Sequence, residues 1–170
     1  QRAEMTYAKS IEGSLPWSGL LLLLIPKFFG SSGAQGSTLW NSTFYGQYWE
    51  TCIYLGIAVL GCLLFALPLL RRHRLALPLF GLFLFGLLYV LGDTFVLHKL
   101  FFNFVPGFDT FRDPGRMSFV IAFAAALLSG LGLQHLLTTA GEQRKLFRRI
   151  VLALAGLGIL AWALANGGSF

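Results

Sequence analysis

Four stretches of this chain run for seventeen or more residues without a single Asp, Glu, Lys or Arg: Thr51 to Leu70, Leu75 to Gly92, Met117 to Leu137 and Ile150 to Asn166. A hydrocarbon core of about 30 Å takes roughly 17 to 25 helical residues to cross, so each run is a candidate membrane span. The expectation is an all-α integral membrane protein with four transmembrane helices. Composition agrees, with 56% hydrophobic residues, 12% charged and a mean hydropathy of +0.70, where water-soluble domains carry roughly 25% charge. A soluble enzyme is excluded on that ground. A net charge of +6 does not point to nucleic acid, because the basic residues flank apolar runs instead of gathering on one polar surface.

The cations set an orientation. Arg71-Arg72-His73-Arg74 joins the first two runs, and Arg144, Lys145, Arg148 and Arg149 against Glu142 lie between the last two, in the connection 138–149. In Gln1 to Glu50, three cations (Arg2, Lys9, Lys27) meet three acids (Glu4, Glu12, Glu50). In Asp93 to Arg116, Lys99, Arg112 and Arg116 meet Asp93, Asp109 and Asp113. Lys and Arg resist translocation, so 71–74 and 138–149 are expected on the cytoplasmic side and 1–50 and 93–116 outside; strict alternation of four spans gives the same pairing. The polar opening at Gln1, without a basic and apolar leader, leads to the expectation of an internal stretch of a longer protein whose other spans are partners of these.

Several features read as structural. Cys52 and Cys62, ten residues apart in one run, stand about 15 Å apart on a helix and cannot pair. His73, His98 and His135 are scattered, so no metal set of His/Cys spacing is expected, and no cofactor. Ala122, Ala126 and Gly130 form a small-residue stripe expected to take a neighbouring helix. Pro68 and Pro78 fall near span ends, where a missing backbone donor costs least.

The outward loops carry more information. Leu15-Pro16-Trp17 followed by Ser18 to Ile25 and closed by Pro26 predicts a short helix, too short to span, lying in the interface or re-entering it. Around it stand Trp17, Phe28, Phe29, Trp40, Phe44, Tyr45, Tyr48 and Trp49. The plainer interpretation is an aromatic belt at headgroup level; the alternative is a sugar-stacking platform, with Trp40, Tyr48 and Trp49 as candidates. In the second loop, Thr94 is expected to cap an amphipathic helix, Phe95 to Phe104, with Leu97, Leu100, Phe101 and Phe104 on one face and His98, Lys99 and Asn103 on the solvated other. In Phe108-Asp109-Thr110-Phe111-Arg112-Asp113-Pro114-Gly115-Arg116, Asp113 is expected to be the N-cap of the third span with Pro114 at its first position. Arg116 then sits in the first turn, where a cation is unfavourable by roughly 0.3–1 kcal/mol. The anion that relieves it is either internal (Asp109 or Asp113), a lipid headgroup, or a ligand phosphate held by Arg112, Arg116 and the helix-start N–H groups.

The order of motifs resembles the YfhO family of large bacterial membrane proteins, which are similar to C-type glycosyltransferases. The resemblance runs through Leu21-Leu22-Leu23-Leu24-Ile25-Pro26-Lys27-Phe28-Phe29-Gly30, Tyr48-Trp49-Glu50, Tyr54-Leu55-Gly56-Ile57, Leu91-Gly92-Asp93-Thr94, Val105-Pro106-Gly107-Phe108 and Phe111-Arg112-Asp113-Pro114-Gly115-Arg116, over residues 1–137. It departs at Thr94-Phe95, where threonine followed by proline is expected, and the last span matches nothing in particular. What the resemblance implies is sugar transfer from a polyprenyl-phosphate carrier to a cell-envelope acceptor, on the outer face of the bacterial cytoplasmic membrane. Such transfer needs a base at the acceptor hydroxyl and cations on the leaving phosphate. Glu50, Asp93 and Asp109 are the candidates for the base, and Arg112 and Arg116 for the phosphate. Two other classes stay open: a transporter or flippase of a lipid-linked glycan, which would place ionisable groups at mid-depth, and a non-catalytic membrane scaffold.

Overall fold

The computed structural model describes residues 6–26, 28, 53–108, 111, 113–138 and 141–166. Most of these are helical or in turns, with short irregular links such as 14–16 and 53–56 and no strand among the described residues. Six α-helices are labelled in chain order: α1 (Tyr7–Ser10), α2 (Ile57–Ala66), α3 (Ala76–Val90), α4 (Val96–Phe104), α5 (Ser118–Thr138) and α6 (Gly141–Asn166). Helix α5 is the centre, packing against α2 on one side and α3 on the other, while α6 packs on α2 and α4 follows the end of α3.

Where the sequence predicts four spans, one described helix, Pro114–Thr138 with its opening 3-10 turn, is long and apolar enough to cross a membrane at 25 residues. The first expected span, 51–70, begins later. Gly56 takes a positive φ of 91°, which halts backward growth of the helix. Ile53–Gly56 is non-helical, and the Leu55 N–H donates to the Leu23 carbonyl at 3.3 Å. At its other end the chain tightens into a 3-10 segment, Leu67–Arg71, around Pro68. The helix Ile57–Arg71 and α3, which is 15 residues long, are therefore short, about 22 Å at 1.5 Å per residue. The second span, expected over 75–92, stops at Val90 because Gly92 has φ 51° and a Cβ there would strike Ser14 Oγ. The fourth is not preceded by a basic turn: α6 runs unbroken for 26 residues, so Lys145, Arg148 and Arg149 sit on the same helix as the apolar run.

The core is a single apolar cluster, including Leu15, Leu22, Leu63, Phe83, Val90, Ile121, Ala124, Ala125 and Leu128. It corrects the expected packing stripe on α5. Ala122, Ala126 and Gly130 are exposed, with nothing within 4 Å of a Cβ placed at Gly130. The packed stripe is Ile121, Ala124, Ala125, Leu128, Gly132 and Leu136. Gly132 shows why: a side chain there would run into the Cys62 carbonyl oxygen and come within 3.0 Å of the Ala66 nitrogen, so the two backbones are in contact. The packed stripe carries its small residues at Ala124, Ala125 and Gly132 with Leu128 between them, so the four-residue spacing of small residues marks the exposed stripe and not the packed one.

The short helix expected at 18–25 is a 3-10 helix, Trp17–Leu23, preceded by Pro16, with Gly19 and Leu22 buried. The loop before the first span is thus tied into the core.

The two α5 glycines give a paired test. Gly132→Ala should cost roughly 1–3 kcal/mol through overpacking, while Gly130→Ala should be neutral or stabilising by up to about 1 kcal/mol. Heat unfolding of both variants in detergent checks the order, and a larger loss at position 130 would reverse the assignment of the packed face.

Candidate functional site

Ser10, His98 and Asp113, the buried polar residues among those described, collect at the end of the bundle where α3 finishes and α5 begins. Three chain segments meet there. The Leu15 N–H donates to the Val90 carbonyl at 2.9 Å, and the Thr94 hydroxyl to the Leu91 and Leu15 carbonyls at 2.7 and 3.3 Å. A Cβ on Gly13 would lie 3.4 Å from Asp113 Oδ1, and one on Gly92 3.4 Å from Pro114 Cγ. Residues 10–16 are therefore wedged between the end of α3 and the start of α5. Thr94 works as this tie and not as a helix cap; the residue before α4 is Phe95, extended at φ −137°.

Helix α4 departs from its sequence pattern on both faces but does not reverse it. Lys99 and Asn103 are exposed as expected, whereas His98 is 1% exposed; on the apolar face Leu97 and Phe101 are half-buried and Leu100 and Phe104 are exposed. The imidazole is enclosed by aromatic rings: Tyr89 edge-on with centroids 5.1 Å apart, Tyr7 tilted at 5.9 Å and Phe102 stacked at 6.4 Å. Phe101 bridges outward to Phe85 and Phe108 at 5.3 and 5.0 Å. Such pairs are worth about 0.5–1.5 kcal/mol each beyond the area they bury, which draws His98 inward.

His98 Nδ1 is buried and has no hydrogen-bond partner among the described residues. An unmade bond of this kind costs on the order of 1–3 kcal/mol. Burial holds the His98 pKa below its ordinary value of 6.5, opposed by the negative charge of Asp93. Asp93 is itself exposed. Burial and then the nearby Asp93 charge push the Tyr7 pKa up. An exposed carboxylate thus acts on a phenol, with a neutral imidazole behind.

On the α5 side, Asp113 precedes Pro114 as expected, but in the left-handed region at φ 62°, and its side chain makes no capping bond. Instead Asp113 Oδ2 lies 3.1 Å from Arg116 Nη2, with side chains 9% and 58% exposed respectively. Asp113 is thus one anion that meets the Arg116 charge, and the Arg116 side chain stays more than half exposed. Of the other candidates, Glu50, Asp109, Arg112, Trp40, Tyr48 and Trp49 lie outside the described residues. Asp93 and Arg116 are brought to the same end of the bundle. Tyr7 and the buried state of His98 were not read from the sequence, since nothing in the spacing of residues 7, 89 and 98 signals their meeting. Among the described residues no group of three His, Cys, Asp or Glu side chains could hold a metal ion.

No family model matches the chain, and neither a curated protein nor a solved structure is found to be similar to it.

The buried imidazole sets a pH dependence. With its folded pKa lowered, the unfolded chain takes up a proton first as pH falls, so stability is complete above about 6.5 and declines from there through the lowered value. His98→Phe keeps the ring packing and removes the titration, so its unfolding midpoint should fall less on the acid side than that of the wild type. An unchanged acid slope in the variant would assign the titration to another group.

Proposed function

We propose that this chain belongs to a multi-spanning membrane protein that transfers a sugar from a polyprenyl-phosphate carrier at the outer face of the bacterial cytoplasmic membrane. The observation that carries it is the separation of an apolar middle from a polar end. In the Pro114–Thr138 helix, 33% of the most apolar 18-residue window is buried inside the protein, whereas the central helix of a water-soluble protein is mostly covered. Its outward surface includes Phe119, Phe123, Leu127, Leu133 and Leu137, and α6 exposes Leu152, Leu157, Ile159, Leu160 and Trp162. Lipid is the solvent such surfaces fit. In this reading α2, α3, α5 and α6 all cross, and the two shorter helices are accommodated by local thinning of the bilayer.

At the polar end, Asp93 takes the role of base. It receives the proton of an acceptor hydroxyl as that oxygen bonds to the sugar's anomeric carbon, and the glycosyl–phosphate bond breaks. Arg116 meets the charge that develops on the departing polyprenyl phosphate. Tyr7 stands within range of the Asp93 charge, and Arg112 is a second candidate for the phosphate. The order of motifs, which resembles that of the YfhO family, points to the same chemistry.

The test is transfer of labelled sugar from a polyprenyl-phosphate donor by the protein in membranes, at matched expression. Asp93→Asn and Arg116→Ala should each lower turnover by roughly 100-fold or more, as loss of a general base or of a charge-stabilising donor does. Full activity in both variants would return these residues to a structural role, and no consumption of any sugar donor would favour a scaffold.

A further inference from the structure

We propose that the opposite end of the bundle is a docking surface for an anionic phospholipid headgroup, resting on the membrane reading above. Two basic segments far apart in sequence converge there. A ring contact between Phe65 and Phe147, with centroids 5.5 Å apart, joins the end of α2 to the basic turns of α6. Gly61 makes the approach possible, a Cβ at that position lying 3.0 Å from Val151 Cγ2 and 3.2 Å from Phe147 Cε2. Arg71, Arg72 and Arg74 follow α2 within about two helical turns of Phe65, while Lys145, Arg148 and Arg149 flank Phe147. All six are exposed. Their spacing at i, i+3 and i+4 puts Lys145, Arg148 and Arg149 on one stripe of α6, turned away from the Phe147 and Val151 contacts with α2.

Cations outnumber acids at this end. Glu142 is the sole Asp or Glu anywhere between residues 51 and 92 or between 114 and 170, against Arg71, Arg72, Arg74, Arg148 and Arg149 on segments joined by the Phe65–Phe147 contact. An anionic partner is favoured there. The bordering residues say which kind. Leu75 and Leu77 directly follow Arg74, and Leu152 follows Arg149 by one turn, each about 60% exposed at 59%, 62% and 63%. A cation layer continued at once by exposed leucines matches headgroup phosphates above acyl chains. A nucleic acid or a free phosphate leaves those leucines in water.

The test uses the whole chain reconstituted in vesicles of phosphatidylcholine alone or mixed with phosphatidylglycerol, after resistance to alkaline extraction has shown insertion. Phosphatidylglycerol should raise the unfolding midpoint of wild type by at least roughly 2–4 °C, the shift that about 1 kcal/mol produces in a chain of this size. The rise should shrink in high salt and be lost in R71Q/R72Q/R74Q and in R148Q/R149Q, with both variants melting like wild type in phosphatidylcholine. Equal midpoints for wild type in the two vesicles, variants that keep the rise, or an equal rise with inorganic phosphate over phosphatidylcholine would each overturn the headgroup site. Extraction of the chain from both vesicles would instead overturn the membrane reading on which it rests.

Discussion

Gly132 and the carbonyl of Cys62 leave no room between them for a methyl group, and this backbone contact is the joint from which the rest of the bundle is hung. Helix α5 carries α3 on one flank, and α2 carries α6 on the other. Separating α2 from α5 would therefore divide the molecule into two pairs of helices. In lipid the hydrophobic effect does not drive helices together, so close approach and the dispersion contacts it permits supply the association. Gly86 against Ile121, at 2.8 Å from a built Cβ, and Gly61 against Phe147 and Val151 repeat the device at the two neighbouring interfaces. Each junction is made where a glycine admits its neighbour's side chain or backbone.

The polar end depends on a different constraint, the path of the chain through two unusual backbone positions. Gly92 at φ 51° and Asp113 at φ 62° turn the polypeptide out of α3 and into α5. Glycine occupies the left-handed region at little cost, whereas a β-carbon there is strained by about 1–2 kcal/mol. At Asp113 the strain is offset by the ion pair with Arg116, which also settles a cation in the first turn of a helix. Residues 10–16 fill the gap between the two turns through the Leu15–Val90 hydrogen bond. The strap thereby brings Tyr7 to His98 and within range of the Asp93 charge.

Much of the helical layout was legible from apolar runs. The third run, 117–137, coincides with α5 to within a residue, and the proline-led short helix appears where Pro16 and Pro26 place it. The misreadings share one cause. Amphipathic logic takes water to lie on the polar side of a helix and core on the apolar side, and neither condition holds where the surroundings are apolar as well. On α5 both faces are apolar, and the regular spacing of Ala122, Ala126 and Gly130 lies on the face that packs least. On α4 the aromatic enclosure from Tyr7, Tyr89 and Phe102 draws His98 inward, a tertiary preference that local spacing does not encode. The basic stretch before the last run, expected as a turn, continues as helix because Gln143 to Phe147 contains no glycine or proline to stop it.

The distribution of ionisable groups bears on what the bundle can do. The core cluster through α2, α3 and α5 is apolar throughout, and the described charged residues lie toward its two ends, with the half-buried Cys62 thiol between them. A route for a charged headgroup or ion through the middle would have to desolvate its cargo against Leu63, Phe83, Ile121 and Leu128. Intramembrane pathways avoid that cost with polar or ionisable side chains at depth. Chemistry at a surface needs no such residues. Asp93, Tyr7 and Arg116 stand toward one end of the bundle on elements rooted in the apolar core, so the helix junctions are what give that end a defined geometry. The dependence runs in one direction: the glycine contacts can exist without the polar end, whereas the polar end has no fixed form without them.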